Sequence, residues 1–286
     1  MVIANSSEIF PAGRKVRVFN DEWFCQLRRL CDVSDNFLDE GWSPDDLVSG
    51  GGKGGCAMAF IGSDYIVKEL SHGDDASLRA IARRYYNHVS RGDSLLAIIL
   101  LHFEVVETGR RYFAMRNSLG AGPFLAKYDL KGCNDDKTLE LFGDKLGASC
   151  STGKIAAFNM DLVVTPEQRN EVLRRMRNDT EWLMRNRLMD YSLIVGVKTG
   201  SAGFVVAEEG VLGRLPLVQD CQDGSQVAVC VGIIDFLQRW TLYKKAARAI
   251  KCLEKNKATV APTAYAYRFC EHFEERFVSK EAPSRA

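Results

Sequence analysis

The chain has no apolar run long enough to cross a bilayer. Its longest strongly apolar stretch is Leu95 to Leu101, far short of the roughly 20 residues a membrane helix needs, so no transmembrane segment is expected. Charge of one sign is also scarce in excess: 38 Lys and Arg stand against 37 Asp and Glu, a net of +1. No global field draws such a chain to nucleic acid or to an acidic surface, and any such affinity has to come from a local patch. Nine cysteines, an odd number, include no CxxC pair, and the opening Met-Val-Ile-Ala-Asn-Ser-Ser-Glu lacks the basic and apolar regions of a secretory signal. Reduced thiols in the cytosol are therefore expected rather than a disulfide framework. The four histidines show no metal-ligand spacing and are expected to be satisfied or solvated. Without a Gly-x-Ser-x-Gly elbow, hydrolase chemistry has no support.

What is present is a chain of 286 residues with 46% hydrophobic content, enough to bury a sizeable core in one two-lobed enzyme domain or two small domains. Trp23, Phe24, Leu27, Leu30 and Cys31 recur at helical spacing, which predicts a short helix over 21–31 with Asn20 as its N-cap. A glycine turn at 50–55 precedes a predicted hairpin whose second strand contains Lys68. Leu78, Ile81, Ala82, Tyr85 and Val89 line one face of a second helix. Strands are expected at Ala97 to Val106 and Arg111 to Met115, joined by the turn around Thr108-Gly109. Residues 1–117 thus read as a β-rich lobe, with Arg116 to Gly122 as connector.

Residues 118–286 read as a second, mostly helical lobe. Thr165-Pro166-Glu167-Gln168 is a helix start with a Thr cap, Pro at the first position and Gln three residues after the cap. The helix is predicted to run to about Arg187 and to deliver the chain into Met189-Asp190-Tyr191. Lys198 to Gly224 is rich in turn formers and is expected to hold two short strands or a loop. An apolar strand at 227–237 ends near Asp235, and Tyr265, Phe269, Phe273 and Phe277 share one face of a last helix.

Three short stretches set charge against apolar, strand-like runs: Asp129-Leu130-Lys131-Gly132, Met189 to Val197 and Gly232 to Phe236. An ionised group placed there costs several kcal/mol unless a metal, a phosphate or an opposite charge neutralises it. Two aspartates and a lysine so placed suit a site for magnesium and nucleotide phosphates, because magnesium takes one or two carboxylates and leaves its other positions to water and phosphate oxygens. Each feature has a plain structural alternative. Gly50, Gly51, Gly52, Gly54 and Gly55 would form a flexible turn rather than a phosphate cradle, and Lys68 would be an exposed strand lysine. Lys131 would sit on a surface turn with Asp129 as a local cap. Asp190 would end a helix, paired with one of the arginines of 169–187, and Asp235 would cap a following helix. All these features nevertheless occur in the order that a two-lobed phosphotransferase requires. Residues 239–257 carry seven Lys or Arg against the single Glu254, a local net of +6. Lys244-Lys245, with Trp240, Leu242 and Tyr243 nearby, suits an anionic lipid headgroup; the plain alternative is a solvated helix face.

With Tyr128 to Gly132 (YDLKG), Asn178 to Val197 (NDTEWLMRNRLMDYSLIVGV), Ile233 to Lys251 (IIDFLQRWTLYKKAARAIK) and Tyr267-Arg268-Phe269, the chain resembles the phosphatidylinositol phosphate kinases from about residue 18 to 278. The resemblance implies an α+β, two-lobed lipid-kinase fold related to the protein kinases, with an antiparallel sheet in each lobe, flanking helices and ATP between the lobes. It implies that Gly51, Gly52, Gly54, Gly55 and Lys68 hold ATP phosphates, that Met115 to Asn117 lie near adenine, and that Lys131 reaches toward the γ-phosphate. Asp190 would orient or deprotonate the inositol hydroxyl, and Asp235 would bind Mg2+. Asp129, Lys131, Lys137, Lys244, Lys245 and Ala247 would face the lipid substrate. Where the family has Ser and Thr after DLKG, this chain has Cys133, Asn134, Asp135 and Asp136, which is expected to place two acids beside a phosphate site. Lys137 stands where an arginine is usual, keeping the charge without the bidentate fork.

By the same resemblance the substrate would be a monophosphorylated phosphoinositide and the product the 4,5-bisphosphate. The residues around Asp235 resemble those of the 5-kinases acting on the 4-phosphate lipid, whereas Ala247 is the residue of the 4-kinases acting on the 5-phosphate lipid. A peripheral location on the cytosolic face of an anionic membrane follows, with no nucleic-acid partner and a homodimer left open. A soluble inositol polyphosphate kinase and a degenerate, phosphoinositide-binding pseudokinase are the rival readings.

Overall fold

The structure, a computed structural model, describes residues 13–38, 48–49, 57–133, 135–145, 161–201, 212–221, 225–240 and 261–279. It is a mixed α/β fold with antiparallel sheets, divided into two compact units. The described residues of Met1–Gly92 and Ala97–Ala121 form the first, and those of Asp93–Leu96 and Gly122–Ala286 the second.

In the first unit β1 (Val16–Val18), β2 (Val48–Ser49), β3 (Ala57–Ile61), β4 (Tyr65–Glu69), β5 (Ile99–Val105) and β6 (Arg111–Arg116) form an antiparallel sheet in the order β1-β5-β6-β4-β3-β2. α1 (Asp21–Leu30) and α2 (His72–Val89) complete the unit. Every residue of β5 is buried, because both faces of this strand are covered. Leu101, Phe103 and Val105 join a cluster with Ile61, Val67, Tyr112 and Ala114. On the other face the Arg28 guanidinium of α1 donates to the Leu100 carbonyl, and His102 meets Asp75 of α2 at 2.9 Å. The β3–β4 hairpin places Lys68 opposite Met58 and Phe113.

Asn20 occupies the N-cap position of α1, but its side chain makes no capping bond; it sits at φ 55° and only its carbonyl starts the helix. Asn20 thus holds the expected N-cap position without a side-chain cap, and the acids of the first turn, Asp21 and Glu22, face the helix dipole.

In the second unit β7 (Ala126–Leu130), β8 (Lys137–Leu141), β9 (Asp144–Lys145), β11 (Ser192–Ser201), β12 (Leu215–Asp220) and β13 (Ser225–Ile234) form a second antiparallel sheet in the order β12-β13-β11-β7-β8-β9. β10 (Leu162–Val164) and β14 (Phe277–Ser279) make a separate parallel pair. α3 (Pro166–Arg185) begins with the expected capping box: the Thr165 hydroxyl accepts from the Gln168 N–H, and the Gln168 carboxamide oxygen accepts from the Thr165 N–H. The Gln168 amide also donates to the Val218 carbonyl, tying the helix start to β12.

Three boundaries differ from the sequence expectation. α3 ends at Arg185, because Arg187 turns into the left-handed region at φ 58°. β11 continues through Lys198 to Ser201 instead of loosening after Val197, since β13 pairs with it along its whole length. Phe277 lies beyond α4 (Pro262–Arg276), in β14, while Tyr265, Phe269 and Phe273 are buried from the helix as expected. Among the described residues no helix is long and apolar enough to cross a membrane. Cys25, Cys31, Cys133, Cys221, Cys230 and Cys270 are free thiols.

Candidate active site

Strand register brings the charged motifs of the second unit to one end of its sheet. Leu130 of β7 pairs with Leu193 of β11, Ser192 of β11 with Ile234 of β13, and Asp129 of β7 with Lys137 of β8. The ends of β7 and β13 and the starts of β11 and β8 therefore coincide. Lys131 leaves β7, Asp190 approaches β11 and Asp235 leaves β13 at this shared edge. Residues more than a hundred apart in sequence reach one place because the three strands are neighbours, in the order β13-β11-β7.

Beyond Ser192↔Ile234 the β11–β13 ladder opens and then closes again. Leu188 bridges Arg239, the Met189 N–H donates to the Gln238 carbonyl at 3.0 Å, and the Trp240 N–H donates to the Arg187 carbonyl at 2.9 Å. Asp190 and Asp235 fall in the unpaired interval between these stretches, at φ 65° and 59°. A non-glycine residue held there costs of order 1–3 kcal/mol, and such strain collects at functional sites, where an interrupted ladder re-aims side chains. Asp235 is followed by a turn and the Arg239 bridge within the described residues, not by the helix that would have made it a simple cap.

The Lys131 ammonium donates to the Asp190 carboxylate at 2.6 Å and to the Asp190 carbonyl at 2.7 Å. Asp190 is thus paired with this lysine. The Tyr265 hydroxyl donates to the Tyr191 carbonyl, and the Tyr191 ring packs edge to face against the rings of Tyr265 and Phe269. α4 thereby fixes the backbone next to Asp190 from the core side.

Asp129 carries the charge that is hardest to satisfy. Its Oδ1 is closed to solvent and has no hydrogen-bond partner among the described residues. Burial pushes its carboxyl above the usual range, Asp235 adds to the rise, and the Ser192 hydroxyl and the Lys131 and Lys137 ammoniums oppose it. A shielded carboxylate oxygen beside a second carboxylate is an environment that a divalent cation relieves, so these residues fit Mg2+. Among the described residues no cluster of three or more His, Cys, Asp or Glu is arranged as an all-protein metal cage.

Asp136, expected beside a phosphate site, lies against the backbone of Lys131. Its Oδ1 accepts the Lys131 N–H at 2.5 Å and the Cys133 N–H at 3.4 Å, and the residue is 3% exposed. The carboxylate is turned into its own loop. The histidine expectation also changes. His102 Nδ1 and His272 Nε2 make no hydrogen bond among the described residues.

Lys68, Met115 and Asn117 belong to the first unit. Lys68 lies on β4, and Met115 on β6 opposite Ile66. The Asn117 amide donates to the Ser63 and Gly120 carbonyls and its oxygen accepts the Leu119 N–H, closing the turn after β6. Gly51, Gly52, Gly54, Gly55, Lys244, Lys245 and Ala247 lie outside the described residues.

The family described as Phosphatidylinositol-4-phosphate 5-Kinase matches residues 46–210 and 216–276 of this chain. A zebrafish (Danio rerio) protein, Phosphatidylinositol 5-phosphate 4-kinase type-2 gamma, is 23% identical over 95% of this chain and 80% of its own length. The 1-phosphatidylinositol 3-phosphate 5-kinase FAB1 of Saccharomyces cerevisiae is 23% identical over 90% of this chain, which spans 11% of the yeast protein. The Phosphatidylinositol 4-phosphate 5-kinase of Plasmodium falciparum is 24% identical over 80% of the chain, and the matched part is 16% of that protein. These matches define a phosphoinositide kinase. The chain belongs to the phosphatidylinositol-4-phosphate 5-kinase family.

Proposed function

We propose that this chain transfers the γ-phosphate of ATP to a monophosphorylated phosphoinositide, acting as a two-lobed lipid kinase related to the protein kinases. The observation that carries the reading is the meeting of Lys131 and Asp190, 2.6 Å apart, with Asp129 and Asp235 at the same sheet edge. A lysine ammonium has three donors, and two of those on Lys131 are on Asp190. The third is left to reach an oxygen of the transferred phosphate. In the transfer the inositol hydroxyl oxygen forms a bond to the γ-phosphorus as the bond to the β-phosphate oxygen breaks. The hydroxyl proton passes to the Asp190 carboxylate, and ADP leaves. Asp235 would hold Mg2+, with the shielded Asp129 oxygen nearby; once bound, the cation neutralises charge on the phosphate oxygens. Phosphoryl transfer asks the protein chiefly for such positioning and charge neutralisation.

The remaining roles follow the family likeness. Lys68 with Gly51, Gly52, Gly54 and Gly55 would hold the ATP phosphates, the segment from Met115 to Asn117 would lie by adenine, and Lys137, Lys244 and Lys245 would meet the lipid phosphates. We assign 5-kinase action on the 4-phosphate lipid, yielding the 4,5-bisphosphate. Ala247 favours the alternative, a 4-kinase acting on the 5-phosphate lipid, and the relatives include enzymes named for each of these two activities.

The test is an assay of phosphate transfer from labelled ATP to vesicles carrying, in turn, the 3-, 4- and 5-phosphate lipids, with soluble inositol phosphates in parallel. Label is expected in the 4-phosphate lipid, and Asp235→Ala should lower turnover by about 100-fold or more. Label confined to the soluble inositol phosphates would replace the lipid substrate with a soluble one. A parent chain that binds the lipids without labelling them would be a pseudokinase.

A further inference from the structure

The loop between β7 and β8 is held from two sides, and what it holds is Lys131. From within, the Asp136 carboxylate accepts the N–H groups of Lys131 and Cys133. From α4, His272 lies over Gly132: a Cβ built on that glycine would come within 3.1 Å of the His272 Cβ and 3.2 Å of its Cγ. Gly132 also sits at φ 66°, where a side chain is strained in any case. His272 Nε2 stands 3.9 Å from the second Asp136 oxygen, so α4 also closes the outer side of the carboxylate. Moving the turn away from Asp136 would break two N–H bonds, and His272 leaves no room for a side chain at Gly132. Lys131 starts from this fixed turn and ends on Asp190.

We propose that Asp136 is a positioning residue for phosphoryl transfer, holding the 131–133 backbone so that the Lys131 ammonium stays on Asp190 and within reach of the transferred phosphate. The inference rests on the kinase reading above and adds to it a residue that touches neither substrate nor nucleotide. A buried carboxylate is a costly way to close a turn. Its return lies in the stronger, charge-assisted hold on the N–H of the one residue whose side chain must not drift. A shift of about 1 Å in such a group can cost a hundredfold in rate.

The experiment uses the full chain as Asp136→Ala and Asp136→Asn, with vesicles of the preferred monophosphorylated phosphoinositide. It measures kcat, KM for ATP and lipid, thermal stability, and backbone amide exchange at Lys131 and Cys133. Asp136→Ala is expected to lower kcat by roughly 10- to 100-fold, with either KM moved by less than about threefold, and to speed exchange at these two amides while the sheet remains protected. Asp136→Asn, whose amide oxygen still accepts the N–H bonds but without the charge, is expected to recover part of the lost kcat. Should the alanine variant fail to fold, Asp136→Ser joins Asp136→Asn; kcat that falls in step with amide protection supports the role, and kcat independent of it overturns it. Parent-like kcat in a folded Asp136→Ala whose two amides exchange fast also overturns it and leaves the kinase reading standing. A parent chain that labels no lipid overturns that reading, and the role of Asp136 with it.

Discussion

Asp129 and Asp136 lie seven positions apart on the same strand-and-turn segment and meet opposite fates. Asp136 offsets part of its desolvation through backbone N–H groups, whereas one Asp129 oxygen is shielded with no hydrogen-bond partner among the described residues. Folding accounts for the first; the second is what a site for phosphate and metal would require. In the first unit, His102 shows how a buried charge network sets a pH limit on the fold. Asp75, Arg79 and Arg111 face its ring, with Glu104 bound to Arg111. Burial lowers the His102 pKa from 6.5 to about 4, against the raising pull of Asp75. Below 6.5 the unfolded chain takes up a proton that the folded ring refuses. The stabilisation is therefore complete above pH 6.5 and is lost as pH falls toward 4, by about 3 kcal/mol at most. Asp75 itself is held below the usual carboxylate range and titrates under this window. Chemical denaturation between pH 7 and 4 should show the decline, and His102→Gln should flatten it; equal slopes in the two proteins would refute the assignment.

At the scale of elements, α3 is set by its first turn. Loss of the Thr165 hydroxyl strips one side of the capping box, so Thr165→Ala should cost about 1 kcal/mol and lower the melting temperature by about 2–4 °C. Calorimetry checks it, and an unchanged midpoint would show that the contact with β12 alone fixes the helix start. This cap was legible because its signature is local. Lys68 on its strand, Asp235 at the end of an apolar run, and the α4 face of Tyr265, Phe269 and Phe273 were legible for the same reason: period and polarity suffice to place them. The end of β11 was not. Lys198 to Ser201 left two short strands and a loop both open because turn-forming residues follow, and pairing with β13 makes them a continuation of β11. Phe277 has the helical spacing but leaves α4 to pair with Leu162, a contact that no local pattern announces. In the site, the motif residues stood out as charges within apolar runs, whereas the Lys131–Asp190 pair depends on strand order, and the inward turn of Asp136 on backbone donors that a sequence does not display.

For the whole molecule, charge balance decides how a lipid kinase could find its substrate. A net of +1 over 286 residues gives almost no long-range attraction to an anionic bilayer, so the local net of +6 in residues 239–257 would have to supply it. Each lysine near such a surface is worth about 1 kcal/mol. Replacing Lys244 and Lys245 together by alanine should therefore weaken binding to phosphoinositide-containing vesicles by about 30-fold. The salt dependence of binding should flatten as well, since screening acts on charges that have been removed. Sedimentation of the chain with vesicles at two ionic strengths measures both effects. If affinity and salt dependence match those of the parent, the attraction lies elsewhere on the surface, and the placing of Lys244 and Lys245 at the lipid headgroup fails, while the chemistry assigned to Lys131, Asp190 and Asp235 is tested separately by turnover.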